Sequence, residues 1–487
     1  MAKIYDTLIW EYIKRPWSRN LSLDDLALRY FDFEKIKYKD LTDNARVTFN
    51  EVDVTKASEY SIEDVYITRK LFDSQSEEMT DSDKKIMQEI DFPLVDVLVS
   101  MEQAGLVIDR DSLIEVWDKL NLLISDIKWE IFEIAWEEFN INSPKQVWGI
   151  LFDKLWITPL KKTKTWYSVN AEVLEELALH YPIANKIVSY RHYSKLLSTY
   201  VVWLQNSINK STWRVHPQYS QVTAATWRLS SNNPNIQNIP SSSWISWEIR
   251  KAFKPFADSD SIYSFDYSQV ELRLLAIMSW DENLISAFKN WEDIHEKTAK
   301  FMFWKDDISS DERKKAKVIN FSVVYWVWSF SLSKRLDVTN KEAQDYINAF
   351  FENYSWVRKY FDDIIKSCEE KWYVETMFWR KRYIDWINDR NKMMKKSAER
   401  EAINTPIQWT ASDIIKIAMI KVFEFLNKNN LKSKMIIQVH DELVFNVVQS
   451  EKDLIKNEIP KIMESIIDSD LILKTDFAEW KNWWEAK

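Results

Sequence analysis

Glycine is almost missing from this chain: 2 of 487 residues, against 26 tryptophans. An ordinary soluble protein is about 7% glycine, roughly 34 residues at this length, so Trp and Gly together fall short of one ordinary glycine complement. Helix C-caps and tight turns need a backbone with φ > 0, which Gly supplies and a large aromatic does not. The tryptophans stand in such neighbourhoods: Trp17 in RPWSRN, Trp280 in MSWDEN, Trp291 in KNWEDI and Trp372 in EKWYVE all lie among turn and helix-stop residues. The expectation is a protein of normal glycine content whose source reads UGA as Gly, with those codons written as Trp. The alternative, a chain truly rich in Trp, leaves almost every turn without its usual residue.

Cysteine is as scarce, and the single Cys368 excludes an internal disulfide and a zinc site on clustered cysteines. No stretch approaches the roughly 18 to 20 apolar residues of a membrane span. MAKIYDTLIWEY lacks the basic start and apolar run of a secretory signal, so a cytoplasmic protein that does not engage a membrane is expected. A net charge of −9 argues against a nonspecific nucleic-acid coat, but the cations are uneven. KKTK at 161–164, RKKAK at 313–317, RKR at 380–382 and NKMMKKSAER at 391–400 are local concentrations. Each alone reads as a solvated helix face or loop; four of them flanking the acidic motifs below point to a polyanionic partner.

The chain is too long for one core, and two to four domains are expected. Residues 1–75 are mixed, with an amphipathic helix around SEYSIEDVYITRKLF. From 82 to 210 the pattern is helical, with a start signal at INSPKQVWGILF, where Asn142 or Ser143 caps and Pro144 opens the first turn. Beyond 215 come short β runs, SIYSF at 261–265 and the pair KMIIQV and LVFNVV at 434–439 and 443–448. A mostly helical insert from 284 to 425 separates them.

SIYSFDYSQVELRLLAI places an apolar strand before Asp266 and a helix after it, and KMIIQVHDELVFNV reads as a hairpin with His440, Asp441 and Glu442 at its tip. Two carboxylates delivered by neighbouring strands could hold two divalent metals for in-line phosphoryl displacement. The HDE run alone reads more simply as a salt-bridged turn. In ERKKAKVINFSVVYWVW, Arg313, Lys317, Phe321 and Tyr325 recur every four residues, a drifting stripe along one helix side. Two cations followed by two aromatics suit a ligand with a polyphosphate at one end and a flat ring at the other. An aromatic stripe at this spacing is more often core.

These segments carry a resemblance. TAATWRLSSNNPNIQNIP, DYSQVELR, RKKAKVINFSVVYW and QVHDELV, together with WYVETMFWRKRYI, AINTPIQWTASDIIKIAMI and the final WKNWWEAK, are similar to the successive signatures of family A DNA polymerases, the bacterial DNA polymerase I group. The resemblance covers essentially the whole chain. In that family Gly stands at the positions of Trp227, Trp280, Trp291, Trp326, Trp372, Trp379, Trp409, Trp480 and Trp484, while Trp483 matches a true Trp; Trp10, Trp117 and Trp129 have no clear family glycine.

The resemblance implies an α+β right-hand polymerase that adds dNTPs to a primer by a two-metal mechanism. Asp266 and Asp441 would hold two Mg²⁺, with the Tyr267 carbonyl assisting and Glu442 close by. Arg313, Lys317 and His295 would hold the triphosphate, with Lys317 also assisting proton transfer to pyrophosphate. Phe321 and Tyr325 would bound the sugar and base, and Glu271 would crowd a ribose 2′-hydroxyl. Arg228, Asn404, Gln408 and His440 would contact primer or template, as would Arg273, Arg380 and Arg382. The implied organisation is a 3′–5′ exonuclease-like remnant at 1–75, a thumb at 76–215, and a palm at 216–487 with fingers inserted at 284–400. Tyr60 and Asp64 fit the last exonuclease motif, but the earlier carboxylate motifs have no counterpart, so no proofreading by this chain is expected; either the gene's start is truncated or a separately encoded polypeptide supplies them. Primer-template DNA and dNTPs are the implied partners of a monomer working at the nucleoid. The rival readings are an inactive DNA-binding fragment and a nuclease.

Overall fold

The computed structural model describes residues 5–18, 20–44, 46–160, 167–239, 244–326 and 328–481. The basic run at 161–164 and the tryptophans at 483 and 484 lie outside the described residues.

The apolar runs at 261 and 434–448 come together as one antiparallel sheet. Its strand order is Thr475–Trp480, Ser261–Tyr267, Glu442–Val447, Lys434–Val439. Every residue of Glu442–Val447 is buried, and Ser261–Tyr267 is buried except at Asp266. A buried run that breaks at one carboxylate marks where the end of this interior strand meets solvent. The hairpin begins one residue earlier than LVFNVV suggests: Glu442 pairs directly with Asp266 and belongs to the sheet, leaving only His440 and Asp441 as the turn.

Helices surround this sheet. Lys392–Lys428, capped by Asn391, packs against Val270–Ser279, Phe92–Ala104 and Ser355–Lys371. Ser143 is the cap of Pro144–Trp148, accepting from the Gln146 amide, as the INSPKQ signal indicates. The amphipathic segment near 60 is part of Val54–Glu78, capped by Asp53. The helical reading of 82–210 misses a strand, Leu106–Ile108, which pairs with Arg214–Val215 and Phe253–Lys254. Gly105 ends the preceding helix at φ 63°, and a Cβ there would lie 2.7 Å from the His216 ring, so one of the two glycines occupies a position only Gly fills.

A buried ion network ties the helices together. Arg380 donates to both carboxylate oxygens of Asp91 and of Asp413, and Lys416 donates to Asp91 at 3.1 Å, all within side chains 0–1% exposed. Burial pushes the Asp91 carboxyl up, but Arg380 and Lys416 more than reverse it and hold it below its ordinary value.

The tryptophans adopt glycine backbone. Trp136, Trp156, Trp213, Trp227, Trp280, Trp291, Trp304, Trp326, Trp372 and Trp379 have φ between 47° and 64°. Of the eight other non-glycine residues with positive φ among the described residues, six are Asp or Asn, the types that tolerate this region. Trp136, Trp280, Trp304 and Trp372 are the left-handed C-caps of four helices, a position where Gly is the usual residue. Three expectations differ in detail. Trp17 lies in a turn without a positive φ, Trp409 in the Lys392–Lys428 helix, and Trp480 at the end of a strand. The Trp227 and Trp409 rings are both 1% exposed and 5.8 Å apart, so there the issue is space beside the backbone.

Candidate active site

The sheet delivers Asp266 and Asp441 to one end. Asp266 is the penultimate residue of its strand; Asp441 follows it across the ladder at the hairpin turn, and the Tyr267 amide donates to the Asp441 carbonyl at 3.1 Å. That bond fixes the backbone of one acid to the backbone next to the other. His440 takes φ 52°, which makes the turn tight, and Gln438 Nε2 donates to its carbonyl at 2.6 Å. Glu442 is 6% exposed and accepts from Ser264 Oγ at 2.6 Å, so its carboxylate is held within the sheet face beside Asp266.

A cleft of about 620 Å³ opens over these acids, lined by Asp266, Tyr267, Asp441 and Glu442 on the sheet side and by Phe321 and Tyr325 on the helical side. Glu271, 6% exposed, joins the two sides: Tyr325 Oη donates to it at 2.6 Å and Arg228 Nη2 at 3.1 Å. Burial pushes the Glu271 carboxyl up, while Tyr325 and Arg228 pull it part of the way back and Asp441 adds to the rise. Burial also pushes Asp441 up, with Arg228 opposing. Four carboxylates, Asp266, Glu271, Asp441 and Glu442, line the cleft with two guanidiniums, Arg228 and Arg250, which leaves room for further positive charge. Among the described residues no cluster of three or more His, Cys, Asp or Glu forms a closed metal cage. Two carboxylates in an open cleft do fit Mg²⁺, which keeps waters and takes phosphate oxygens for its remaining positions.

The helix Ser310–Val324, capped by Ser309 with Glu312, carries the basic and aromatic stripe. Tyr325 falls just past its end, and its carbonyl accepts from Asn404 Nδ2 at 3.2 Å. Gln408 lies one turn along from Asn404, half-buried. Arg313, Lys317 and His295 gather on the helix pair Ser310–Val324 and Ile294–Phe303, outside the lining of the cleft. His295 is 3% exposed, its Nδ1 is 2.9 Å from Asn320 Nδ2, and its ring lies 5.8 Å from Phe321. Burial holds this imidazole down at about 4, so it is neutral at pH 7.

Three arginines divide. Arg380, for which contact with primer or template is expected, is 1% exposed and inside the ion network, where Asp91 and Asp413 take up its guanidinium. Arg273, 6% exposed, donates to the carbonyls of Ser268 and Ile472 and covers the Phe288 ring, which is likewise an internal role. Arg382 keeps partial access, bonding Thr405 Oγ1 and Glu401 at 2.9 Å each. In the first 75 residues, Asp64 is ion-paired to Lys35, whose Nζ also meets Asp24 and lies 5.3 Å from the Tyr60 ring.

Sequence reasoning does not find Asp293, which bonds Arg313 twenty residues away, or the Glu271 links to Arg228 and Tyr325. The one local signal for Asp293 is its place as the N-cap of Ile294–Phe303.

Comparison with known proteins agrees with this geometry. The DNA polymerase I of Caldicellulosiruptor bescii is 44% identical over 404 residues, covering 82% of this chain and 47% of that protein. That of Bacillus subtilis is 38% identical over 494 residues, covering 99% of this chain and 55% of that protein. The chain thus spans about half the length of the curated relatives it matches. Among solved structures, the POL domain of Pol1 from M. smegmatis, in complex with DNA primer-template and dNTP, superposes with a TM-score of 0.83 at 30% identity, over 99% of this chain and 82% of that one. The sheet, its surrounding helices and the cleft between them are therefore those of the α+β polymerase fold. With residues 110–485 matching DNA polymerase family A, this chain belongs to that family.

Proposed function

We propose that the chain is a DNA-directed DNA polymerase that extends a primer on a DNA template with dNTPs. The observation that carries this reading is the shared cleft of Asp266, Asp441, Glu271, Phe321 and Tyr325, two acids at a sheet end facing two aromatics at a helix end. The primer 3′-hydroxyl gives its proton to solvent water, its oxygen forms a bond to the α-phosphorus, the bond from that phosphorus to the bridging oxygen breaks, and pyrophosphate leaves. Asp266, Asp441 and the Tyr267 carbonyl would hold two Mg²⁺, whose chemistry is to neutralise phosphate charge and favour the ionised 3′-oxygen. Arg313, Lys317 and the neutral His295 hold the triphosphate, and Lys317 gives a proton to the departing pyrophosphate. Phe321 and Tyr325 cover the sugar and base. Arg228, Asn404, Gln408, His440 and Arg382 are the side chains for primer and template, while Arg273 and Arg380 hold the scaffold behind them. We assign residues 1–75 to an exonuclease-like unit, 76–215 to the thumb and 216–487 to the palm, with the fingers between 284 and 400, in a monomer that meets its DNA in the cytoplasm.

Primer extension by the protein purified from its own source tests this directly; failure to incorporate any dNTP on a primed template overturns it. Glu271 sets the sugar choice in the same assay. Shortening it to Ala opens the space of a 2′-hydroxyl, and the ratio of ribonucleotide to deoxynucleotide incorporation should rise about tenfold or more, since a filled pocket rejects the larger sugar mainly by exclusion. An unchanged ratio places the gate elsewhere. Because Glu271 also anchors Tyr325 and Arg228, some loss of overall rate should accompany the change.

With Asp64 engaged by Lys35, this chain should not trim DNA. A mismatched 3′ end labelled on its primer should persist in Mg²⁺ without dNTPs, and steady shortening would contradict the assignment.

We also propose that the tryptophans with positive φ, and Trp409 with them, are glycines in the native protein, each encoded by UGA. The support is the backbone they occupy and the family glycines at Trp227, Trp280, Trp291, Trp326, Trp372 and Trp379.

A further inference from the structure

We propose that Asp293 is a positioning residue for the nucleotide site, holding Arg313 so that one edge of its guanidinium stays turned to the incoming triphosphate. This rests on the polymerase reading above. The two oxygens of Asp293 have separate duties. Oδ1 accepts from the amides of His295 and Glu296, at 2.9 and 3.1 Å, and so caps the Ile294–Phe303 helix. Oδ2 accepts from Arg313 Nε at 2.7 Å and is ion-paired with Nη2 at 2.6 Å. One carboxylate therefore ties the helix that bears His295 to the helix that bears Arg313, Lys317 and Phe321.

A guanidinium has five N–H donors in a rigid plane. The Nε side of Arg313 is held on Asp293, with Nη2 ion-paired to the same oxygen, and the opposite edge, which carries Nη1, is left with a fixed direction. An arginine on a half-exposed helix otherwise carries a long stem with many rotamers, which a ligand would have to order as it binds. Asp293 does that ordering in advance. A bare acid beside a triphosphate would instead repel it. Here the carboxylate is matched: burial pushes it up, but Arg313 and the two amides more than reverse this, so its negative charge is balanced by the guanidinium and the helix start. Holding and repelling predict opposite signs, which makes the proposal decidable.

Asn and Ser cap helices as well as Asp does but give Arg313 no anionic acceptor, so Asp293→Asn and Asp293→Ser keep the helix while releasing the arginine. Both should raise KM for dNTP about tenfold with kcat changed less than twofold, the scale of one charge-assisted hydrogen bond. In an Arg313→Ala background the same changes should add nothing, because Asp293 acts through Arg313. Calorimetric titration of dNTP into the full chain without primer should give the same loss of affinity. A lowered or unchanged KM, or effects that add in the double variant, overturns the proposal. The background for all these variants is the chain with Gly at its positive-φ tryptophans and at Trp409. If that background binds dNTP but does not extend primers, the polymerase reading fails and the calorimetric loss alone decides the role of Asp293. No dNTP binding by that background overturns both.

Discussion

Asp441→Ala should lower the rate of primer extension by on the order of 10³-fold or more, about 4 kcal/mol of barrier, with binding to primed template largely intact. Asp266→Ala should do the same. The two acids end adjacent strands, and the Tyr267 amide bond to the Asp441 carbonyl fixes their separation through the backbone. Removing either side chain therefore leaves the sheet in place and takes away only the charge. Much of the barrier reduction in phosphoryl transfer comes from positioning and charge neutralisation, so a missing metal ligand acts on the transition state rather than on DNA affinity. Glu442 is the internal control: its carboxylate is taken up by Ser264 at 2.6 Å, and Glu442→Gln, which can still accept that bond, should cost far less. Single-turnover extension against filter binding of the same primed template separates the two quantities. Near-normal extension by Asp441→Ala would remove the two-metal assignment.

The parts of this site that were legible in the sequence are those whose chemistry is local. Asp266 could be placed because an apolar strand precedes it and a helix follows, and His440, Asp441 and Glu442 because two apolar runs flank them. The error of one residue at Glu442 came from reading a buried acid as a turn residue; burial is possible because Ser264, on the neighbouring strand, provides the partner. The burial of Arg273 and Arg380 is not legible for the same reason in reverse. Arginines in basic or helical runs look exposed until their partners are known: the Ile472 carbonyl lies 199 residues from Arg273, and Asp91 lies 289 residues from Arg380. The strand Leu106–Ile108 was hidden because three residues are too few for a period, and its partners are far along the chain. Asp293 and Arg313, or Glu271 and Tyr325, are brought together only by the packing of helices whose relative placement no spacing encodes.

Changing the left-handed tryptophans to Gly, with Trp409, should turn a poorly folding chain into a soluble and cooperatively melting one. A left-handed backbone costs an L-residue with a Cβ roughly 1 to 2 kcal/mol, and ten such sites together rival the roughly 5 to 15 kcal/mol by which native proteins are stable. Little packing offsets that cost at the exposed caps: Trp136, Trp280 and Trp304 are 86%, 74% and 84% exposed. At the interior pair the cost is of another kind. Trp227 lies 4.3 Å from the Tyr12 ring, 5.8 Å from Trp409 and 3.8 Å from the Arg380 guanidinium, and its indole N–H is buried without a hydrogen-bond partner. Such an orphaned donor costs about 1 to 3 kcal/mol. One comparison isolates the backbone effect. Trp304→Gly should stabilise the chain by about 1 kcal/mol while Trp304→Ala, which keeps the Cβ, should gain little, because the strain lies in φ and not in the indole. Equal gains from Gly and Ala would show that the exposed ring itself is the burden. Peptide mass spectrometry of the protein from its own source decides the letters: Gly is expected at positions 227, 326 and 409, and Trp at 483. Intact Trp at the first three would overturn the reassignment and leave the cleft with its two acids as it stands.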